Sequence, residues 1–591
     1  MKAEGSFPGE LKPFKMPEIS KVQSTVDCFK NPLSEGKTRL LYDKRFELEE
    51  DLDVDFNETT MLEEVELTIE ESGIPHLAES GFLGEKELLE YGVAKDGENI
   101  FDIFRRVTES IKTVEQAFSD SEKAAVFADE LHQLMLERKI IPSSPTLMNA
   151  GTASESTLSA CVVPRVELGG DFRKVEEVVN YFHVSGMGTG FNFDVLDDPI
   201  PVIEQLNRLG LAGQESGRDV RPVGNMGALS VDHDKILDFI EMKKGRLDEK
   251  WVFNFSVLLD DVNVKRILNS EDIVTKNGSI VSSDVLMLDI ARSIHADGEP
   301  GLVFIDRLNK GNQVPSTGEY QTLAPCGEVG LVEGETCQFC YVNLGEFVSE
   351  QEVDYKGLEQ AVRTSMRFLD DAVEYNIAHY DDELSKNVAG KRRKVGLGVC
   401  GFADFLAKLG VQYQDGRSRD LAEDVFSFIN YISKSESVEL AKERGPFGAF
   451  GESKYTQTES IIYDFASNPT KTVSAEMWLD LDREIKESGL RNCATTAIPP
   501  TSRSSRIIGA SPSVEPYFEE MLGISPEEQL MMVSSIQKFV DESISKTINI
   551  PEEATVEQIR DILLLALKSN VKGITIYRDK SRSNQPEKVK K

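Results

Sequence analysis

The sequence predicts an α/β protein in which one large sheet or barrel follows a helical segment. Three observations carry that expectation. From about Ser159 to Tyr577, short β-type runs (GFNFDVL, GALSV, FNFSVLL, GLVFI, CYVNL, GITIY) alternate with helical stretches such as YKGLEQAVRTSMRFLDDAVEYN. This alternation is what strands joined by helical crossovers require. Upstream, IFDIFRRVTESIKTVEQAF and AAVFADELHQLMLERKII space their apolar residues three and four apart, which marks helices between about Gly84 and Lys139. No period of about 20–50 residues recurs, so a solenoid is not expected.

Taken in order, residues 1–80 form an acidic extension with little helix or strand period, as FELEEDLDVDFNETTMLEEVELTIEE illustrates. Residues 81–160 form a helical domain, closed by the helix-breaking prolines of PSSPTLMNAGT, and residues 161–580 form the α/β domain. The last stretch, 581–591, is a polar, basic, flexible tail. Across 591 residues the chain is 40% hydrophobic and 28% charged, the balance of a soluble globular protein. Its net charge of −36 argues against nucleic acid as a partner. No basic and apolar leader opens the chain, and no apolar run reaches the roughly 18 residues of a membrane span, so no membrane partner is expected. Seven cysteines are too few and too odd in number for a disulfide scaffold. A reducing cytoplasm is the expected compartment.

Three cysteines crowd into TLAPCGEVGLVEGETCQFCYVNL: Cys326, Cys337 and Cys340. A structural zinc site needs four Cys or His ligands, and there is one C-x-x-C with no second pair, so no metal is expected. A thioredoxin-type dithiol belongs at a helix N-terminus, whereas CQFCYVNL leads into a strand. A third reading joins Cys326 to Glu328: on an extended segment residues i and i+2 share a face, which would set a thiol beside a carboxylate. A buried cysteine next to a surface glutamate fits the same spacing. Elsewhere, Asp232, His233 and Asp234 of VDHDKILDFIEMKK are expected to cap a helix. His183 is expected to be structural, and Cys28, Cys400 and Cys493 to be packing residues.

The order SPTLMNAGT, LSACVV, GMGTGFNF, RPVGNMGALSVDH, PGLVFIDR, PCGE…C…NL, GLGVCGFADFL, IPPTS and GITIYRDKSRS resembles the large catalytic subunit of ribonucleotide reductase. The likeness runs from about Pro142 to Arg582 and is most similar to class II, the adenosylcobalamin-dependent form. There the second redox cysteine follows the radical cysteine by eleven residues, as Cys337 follows Cys326. Class I spaces them further apart and has two adjacent tyrosines near its C-terminus, where GITIYRD offers only Tyr577.

The resemblance implies a ten-stranded α/β barrel with a central cysteine finger loop. It implies that Cys326 forms a thiyl radical that removes the ribose 3′ hydrogen, and that Glu328 takes the 3′-hydroxyl proton. Cys161 and Cys337 would supply two electrons and become a disulfide; Cys340, where the family has glycine, is packing. Substrate contacts are expected from Ser144, Thr146, Ala160, Gly190 and Ala324. A phosphate loop is expected at Pro500, Thr501, Ser502, Arg503 and Ser504, where backbone N–H groups at a helix start bind anions despite the acidic chain. The implied cofactor is adenosylcobalamin. The implied partners are a ribonucleotide substrate, deoxynucleotide effectors, a thioredoxin-like or small dithiol reductant, and a second copy in a homodimer. Alternatives are a class I-type subunit radicalised by a partner protein, or a weakly active nucleotide-binding regulatory paralogue.

Two departures stand out. Ala324 occupies the place of an asparagine in the family's Asn-Pro-Cys-Gly-Glu, and its side chain neither donates nor accepts. No cysteine follows Cys493, which is expected either of a truncated chain or of one re-reduced by a separate protein or a small-molecule dithiol.

Overall fold

The computed structural model describes residues 81–581, apart from positions 155, 220, 245, 247, 248, 459 and 522. The acidic extension 1–80 (with Cys28) and the tail beyond Ser581 lie outside the described residues. The helical segment begins as the periodicity requires. Helix Ile100–Glu115 buries Ile100, Ile103, Phe104, Val107, Ile111 and Val114, one continuous stripe. Asn99 caps it by accepting from the backbone N–H groups of Phe101 and Asp102. It packs on helix Ser121–Leu136, and both lie against the long helix Tyr355–His379.

Five strands then run parallel in the order Cys161–Val162, Gly188–Asn192, Asn225–Ser230, Phe253–Leu259 and Gly301–Phe304. Helices such as Phe172–Val184, Ile200–Glu215 and Ser283–Asp297 make the crossovers that parallel pairing demands. Gly573–Arg578 joins Gly301–Phe304 antiparallel and pairs parallel with Thr547–Ile550. A second parallel set holds Phe339–Asn343 beside Gly396–Cys400. Parallel bridges extend it from Leu397 to Thr496 and from Ile498 to Ile544. Antiparallel pairing of Thr336–Cys337 with Cys161–Val162 connects the strand run 336–343 to the first set. No helix among the described residues is long and apolar enough to cross a membrane.

Between the two sets stands a hairpin, Thr322–Leu323 paired antiparallel with Gly330–Leu331. Its base is held by buried charges. Lys394 donates to the Gly330 carbonyl at 2.6 Å and sits 3.2 Å from Glu335 and 3.1 Å from Glu542. Glu542 accepts from the Gly330 N–H at 3.1 Å and from the Tyr320 hydroxyl at 2.8 Å. Arg392 closes the group on Glu335 at 2.5 Å. A second buried cluster joins helix Tyr355–His379 to its surroundings: Asp370 is shared by Arg393, Arg444 and Arg491.

One expectation fails here. The helix in VDHDKILDFIEMKK is only Ile236–Ile240, and its N-cap is Lys235 with no side-chain cap. His233 instead donates from Nε2 to the Leu196 carbonyl at 2.8 Å, and Asp234 accepts from the Asn277 N–H at 3.0 Å. His233 Nδ1 accepts only from the N–H of Lys235 at 3.1 Å, so neither His233 nor Asp234 reaches the first turn of the helix proper. His183 is buried on Asn225 and Thr189, as a structural histidine should be.

Lys394→Met leaves two buried carboxylates short of their shared cation, a loss of about 3–5 kcal/mol. Urea denaturation monitored by circular dichroism is expected to show that loss; a change below about 1 kcal/mol would contradict the role given to this cluster.

Candidate active site

Cys161 and Cys337 lie directly opposite one another across the antiparallel pair. Opposed residues in such a ladder have Cα atoms about 4.5–5.5 Å apart, inside the roughly 4.4–6.8 Å that a disulfide spans. Both thiols are free and buried. Their mutual hydrogen bond, reinforced by burial, holds Cys161 well above the usual thiol range. Burial pushes Cys337 up as well. Both therefore carry their protons at neutral pH, as a two-electron donor pair must before it reacts.

The tip of the hairpin is a turn, not the extended segment expected from sequence. Gly327 donates to the Ala324 carbonyl at 2.8 Å, and Ala324 donates to the Val329 carbonyl at 2.8 Å. Gly327 has φ +83°, a left-handed conformation that breaks the two-residue alternation. Cys326 and Glu328 thus do not share the face of a strand. Cys326 is exposed to solvent-accessible space, yet protein surrounds it closely enough that burial, with the Glu328 and Cys161 charges, drives its thiol pKa well up. Glu328 is 2% exposed and its Oε2 has no partner. Burial raises its pKa to about 7, with Arg221 pulling the other way. A carboxyl poised there can accept a proton near neutral pH.

Arg221, within RPVGNMG and not among the residues expected at the site, brings a cation to it. Its Nε donates to the Gly186 carbonyl at 2.6 Å and its Nη2 to the Ala160 carbonyl at 3.2 Å. Its charge acts on Cys161, Cys326, Glu328 and Tyr341. Tyr341 was also missed. Its ring crosses Gly398, where a Cβ would stand 3.3 Å from Tyr341 Cδ1 and 2.8 Å from Pro499 Cδ. Only the spatial neighbourhood distinguishes these two residues from ordinary surface and core positions.

The expected phosphate loop also gathers here. Thr501, at φ +56°, precedes the short helix Ser502–Ile507 and accepts from the Ser513 N–H at 2.8 Å. Pro500 lies half-buried before it, and Ser502 is exposed. Ser504 donates to the Pro142 carbonyl at 3.0 Å, which ties the loop to the segment entering helix Ser144–Asn149. On that helix Ser144 and Thr146 are buried, and Thr146 Oγ1 lies 3.2 Å from Ser143 Oγ. Burial and the like charge of Arg221 lower the Arg503 pKa, and Arg503 Nη1 has no partner. Ala160 donates its N–H to the Cys337 carbonyl at 3.0 Å. At Gly190 a Cβ would lie 2.9 Å from the Leu323 carbonyl, so its missing side chain admits the hairpin itself. Ala324 is fully buried at the turn. Cys340 packs away from the site, its Sγ 3.7 Å from the Ile141 carbonyl.

Two paired thiols, a third thiol on a hairpin tip and a carboxyl with its pKa raised to about 7 converge within an α/β fold, the groups that a thiol-based oxidoreductase requires. The chain belongs to the ribonucleotide reductase large-subunit family. The family's barrel domain, "Ribonucleotide reductase, barrel domain", matches residues 263–523 and 517–577, and its all-alpha domain matches residues 81–155. Among curated relatives, the vitamin B12-dependent ribonucleoside-diphosphate reductase of Thermoplasma acidophilum is 29% identical over 544 residues, 78% of this chain and 66% of that protein. The protein of the same name from Mycobacterium tuberculosis is 29% identical over 560 residues, 86% of this chain and 80% of its own length. The vitamin B12-dependent ribonucleotide reductase of Streptomyces coelicolor is 22% identical over 603 residues, 80% of this chain and 61% of that protein.

The raised Glu328 pKa has a stability consequence. Below about pH 4.5 the carboxyl is protonated in both folded and unfolded chains. Between there and about 7 the unfolded chain ionises first, so stability falls with rising pH, and the full cost of about 3 kcal/mol is present above pH 7. Glu328→Gln is expected to match wild type at pH 5 and to exceed it in stability at pH 8.5. Denaturation curves showing no pH-dependent difference would contradict the assigned burial.

Proposed function

We propose that this chain is the catalytic chain of an adenosylcobalamin-dependent, class II ribonucleotide reductase that converts ribonucleotides to 2′-deoxyribonucleotides. The observation that carries the reading is the convergence of the opposed Cys161–Cys337 pair with the Cys326–Glu328 hairpin tip. The relatives' dependence on vitamin B12, as their names state it, supports the cofactor. Residues 161–580 are read as a ten-stranded barrel of two five-stranded parallel halves, with residues 81–160 as the helical domain before it.

When bound, adenosylcobalamin would supply the homolytic chemistry that takes the hydrogen atom from the Cys326 thiol and leaves a thiyl radical on that sulfur. Cys326 fits such a cofactor: it is the exposed thiol among the described residues, and its raised pKa keeps the hydrogen atom on sulfur. Cys326 then takes the 3′ hydrogen of the ribose and later returns it. Glu328, once ionised, accepts the 3′-hydroxyl proton while the 2′ C–O bond breaks and the oxygen leaves as water, and it returns that proton to the 3′ oxygen at the end of the cycle. Cys161 and Cys337 give two electrons and their hydrogens, and an S–S bond forms between them, so that one C–H bond replaces one C–O bond. The substrate phosphates would meet Arg503, the backbone N–H groups of Ser502–Ser504, and the charge of Arg221. Ser144, Thr146, Ala160, Gly190 and Ala324 would line the nucleoside side. A cytoplasmic homodimer, regulated by deoxynucleotides and re-reduced by a thioredoxin-like protein or a small dithiol, completes the proposal.

Assay of labelled ribonucleotides with adenosylcobalamin and a dithiol tests it. Cys326→Ser, Cys161→Ser and Cys337→Ser are each expected to fall below about one hundredth of wild-type deoxynucleotide formation. The wild-type rate is expected to rise with pH through about 7 as Glu328 ionises, and Glu328→Gln to lose that limb. Full activity in Cys326→Ser would refute the assignment of the radical site.

A further inference from the structure

The hairpin tip has few ways to be held from outside. Ala324 spends its N–H on Val329 and its carbonyl on Gly327, inside the turn. Pro325 has no N–H to offer. The Pro325 ring seats on glycine backbone: a Cβ at Gly188 would lie 2.9 Å from its Cγ, and one at Gly224 3.7 Å from its Cβ. That contact sets position but not orientation, since apolar contact is non-directional. Two directional bonds reach the tip from across the fold: beyond the thiol, the Ser543 N–H donates to the Glu328 carbonyl at 3.0 Å, and before it a side chain does the same. Asn254 Nδ2 donates to the Pro325 carbonyl at 2.9 Å, one residue before Cys326. A carbonyl accepts only, so the side-chain nitrogen must face it.

Asn254 is set apart on its own strand. Every other residue of Phe253–Leu259 is buried, and Asn254 is exposed. It therefore opens onto accessible space beside a residue whose neighbour, Cys326, does the same. Among the described residues its Oδ1 has no hydrogen-bond partner. Ala324 meanwhile brings no polar group to the tip, and Glu328 Oε2 is unpaired.

We infer that Asn254 is the positioning residue for the radical-bearing tip, supplying from the neighbouring strand the amide that the hairpin itself lacks at Ala324. One arm of the amide fixes the peptide that carries Cys326, and the other leaves an acceptor free for a substrate hydroxyl. This rests on the ribonucleotide reductase reading for its catalytic consequence, but the anchoring itself does not.

The two parts are tested separately in the full-length protein. Without nucleotide, Cys326 is alkylated with iodoacetamide and its peptide followed by mass spectrometry in wild type, Asn254→Ala and the near-isosteric Asn254→Asp. A tip released from its anchor reaches water, where the thiol ionises more readily and reacts faster. Both variants are expected to alkylate at least about fivefold faster than wild type, with thermal midpoints little changed. In turnover, both should lose about 10²–10³ in kcat with KM within about twofold, the signature of a group that acts on the transition state. Alkylation within about twofold of wild type in both variants, or an undiminished kcat, overturns the inference. If wild type makes no deoxynucleotide while alkylation responds as described, the activity reading fails and the anchoring stands.

Discussion

The hairpin that carries Cys326 depends on one buried cation. Lys394 binds the Gly330 carbonyl and two carboxylates, Glu335 and Glu542, and through Glu542 it reaches the Gly330 N–H and the Tyr320 hydroxyl. Both backbone groups of Gly330 are thereby fixed by charged partners. Hydrogen bonds to charged groups are about twice as strong as neutral ones and far more demanding of geometry. Apolar packing alone would leave a two-stranded hairpin marginal. Here the desolvation of these six ionised or polar groups is offset only if every contact is made, so the hairpin has one position or none.

Glycines then make that position reachable. Gly188 and Gly224 receive Pro325, Gly190 receives the Leu323 carbonyl, and Gly398 receives Tyr341 beside Pro499. From the sequence, Gly190 is expected to contact substrate. In the structure several of these glycines accommodate the protein's own inserted loop, a requirement that arises only once distant segments are brought together.

Much of the architecture follows from local pattern. FNFSVLL corresponds residue for residue to strand Phe253–Leu259, and the apolar stripe of IFDIFRRVTESIKTVE is the buried face of its helix. Local pattern misled where a single glycine changed the backbone: Gly327 turned an expected strand into a turn and separated the faces of Cys326 and Glu328. The Cys161–Cys337 pair could be named from family resemblance, but its face-to-face register depends on a long-range strand pairing that no local period encodes. Arg221 and Tyr341 were silent for a related reason. Each is an ordinary residue type whose importance comes from which charges it faces.

The antiparallel pairing of Thr336–Cys337 with Cys161–Val162 also lies where one set of parallel strands meets the run leading into the other. Oxidation of the two thiols would place a covalent stitch across that seam, enclosing a loop of about 175 residues and restricting the unfolded chain by several kcal/mol. Spent enzyme would then be the mechanically tighter form, and each reductant that reopens the bond would restore suppleness along with electrons. The seam would thus record, in its stiffness, whether the protein is ready for another cycle.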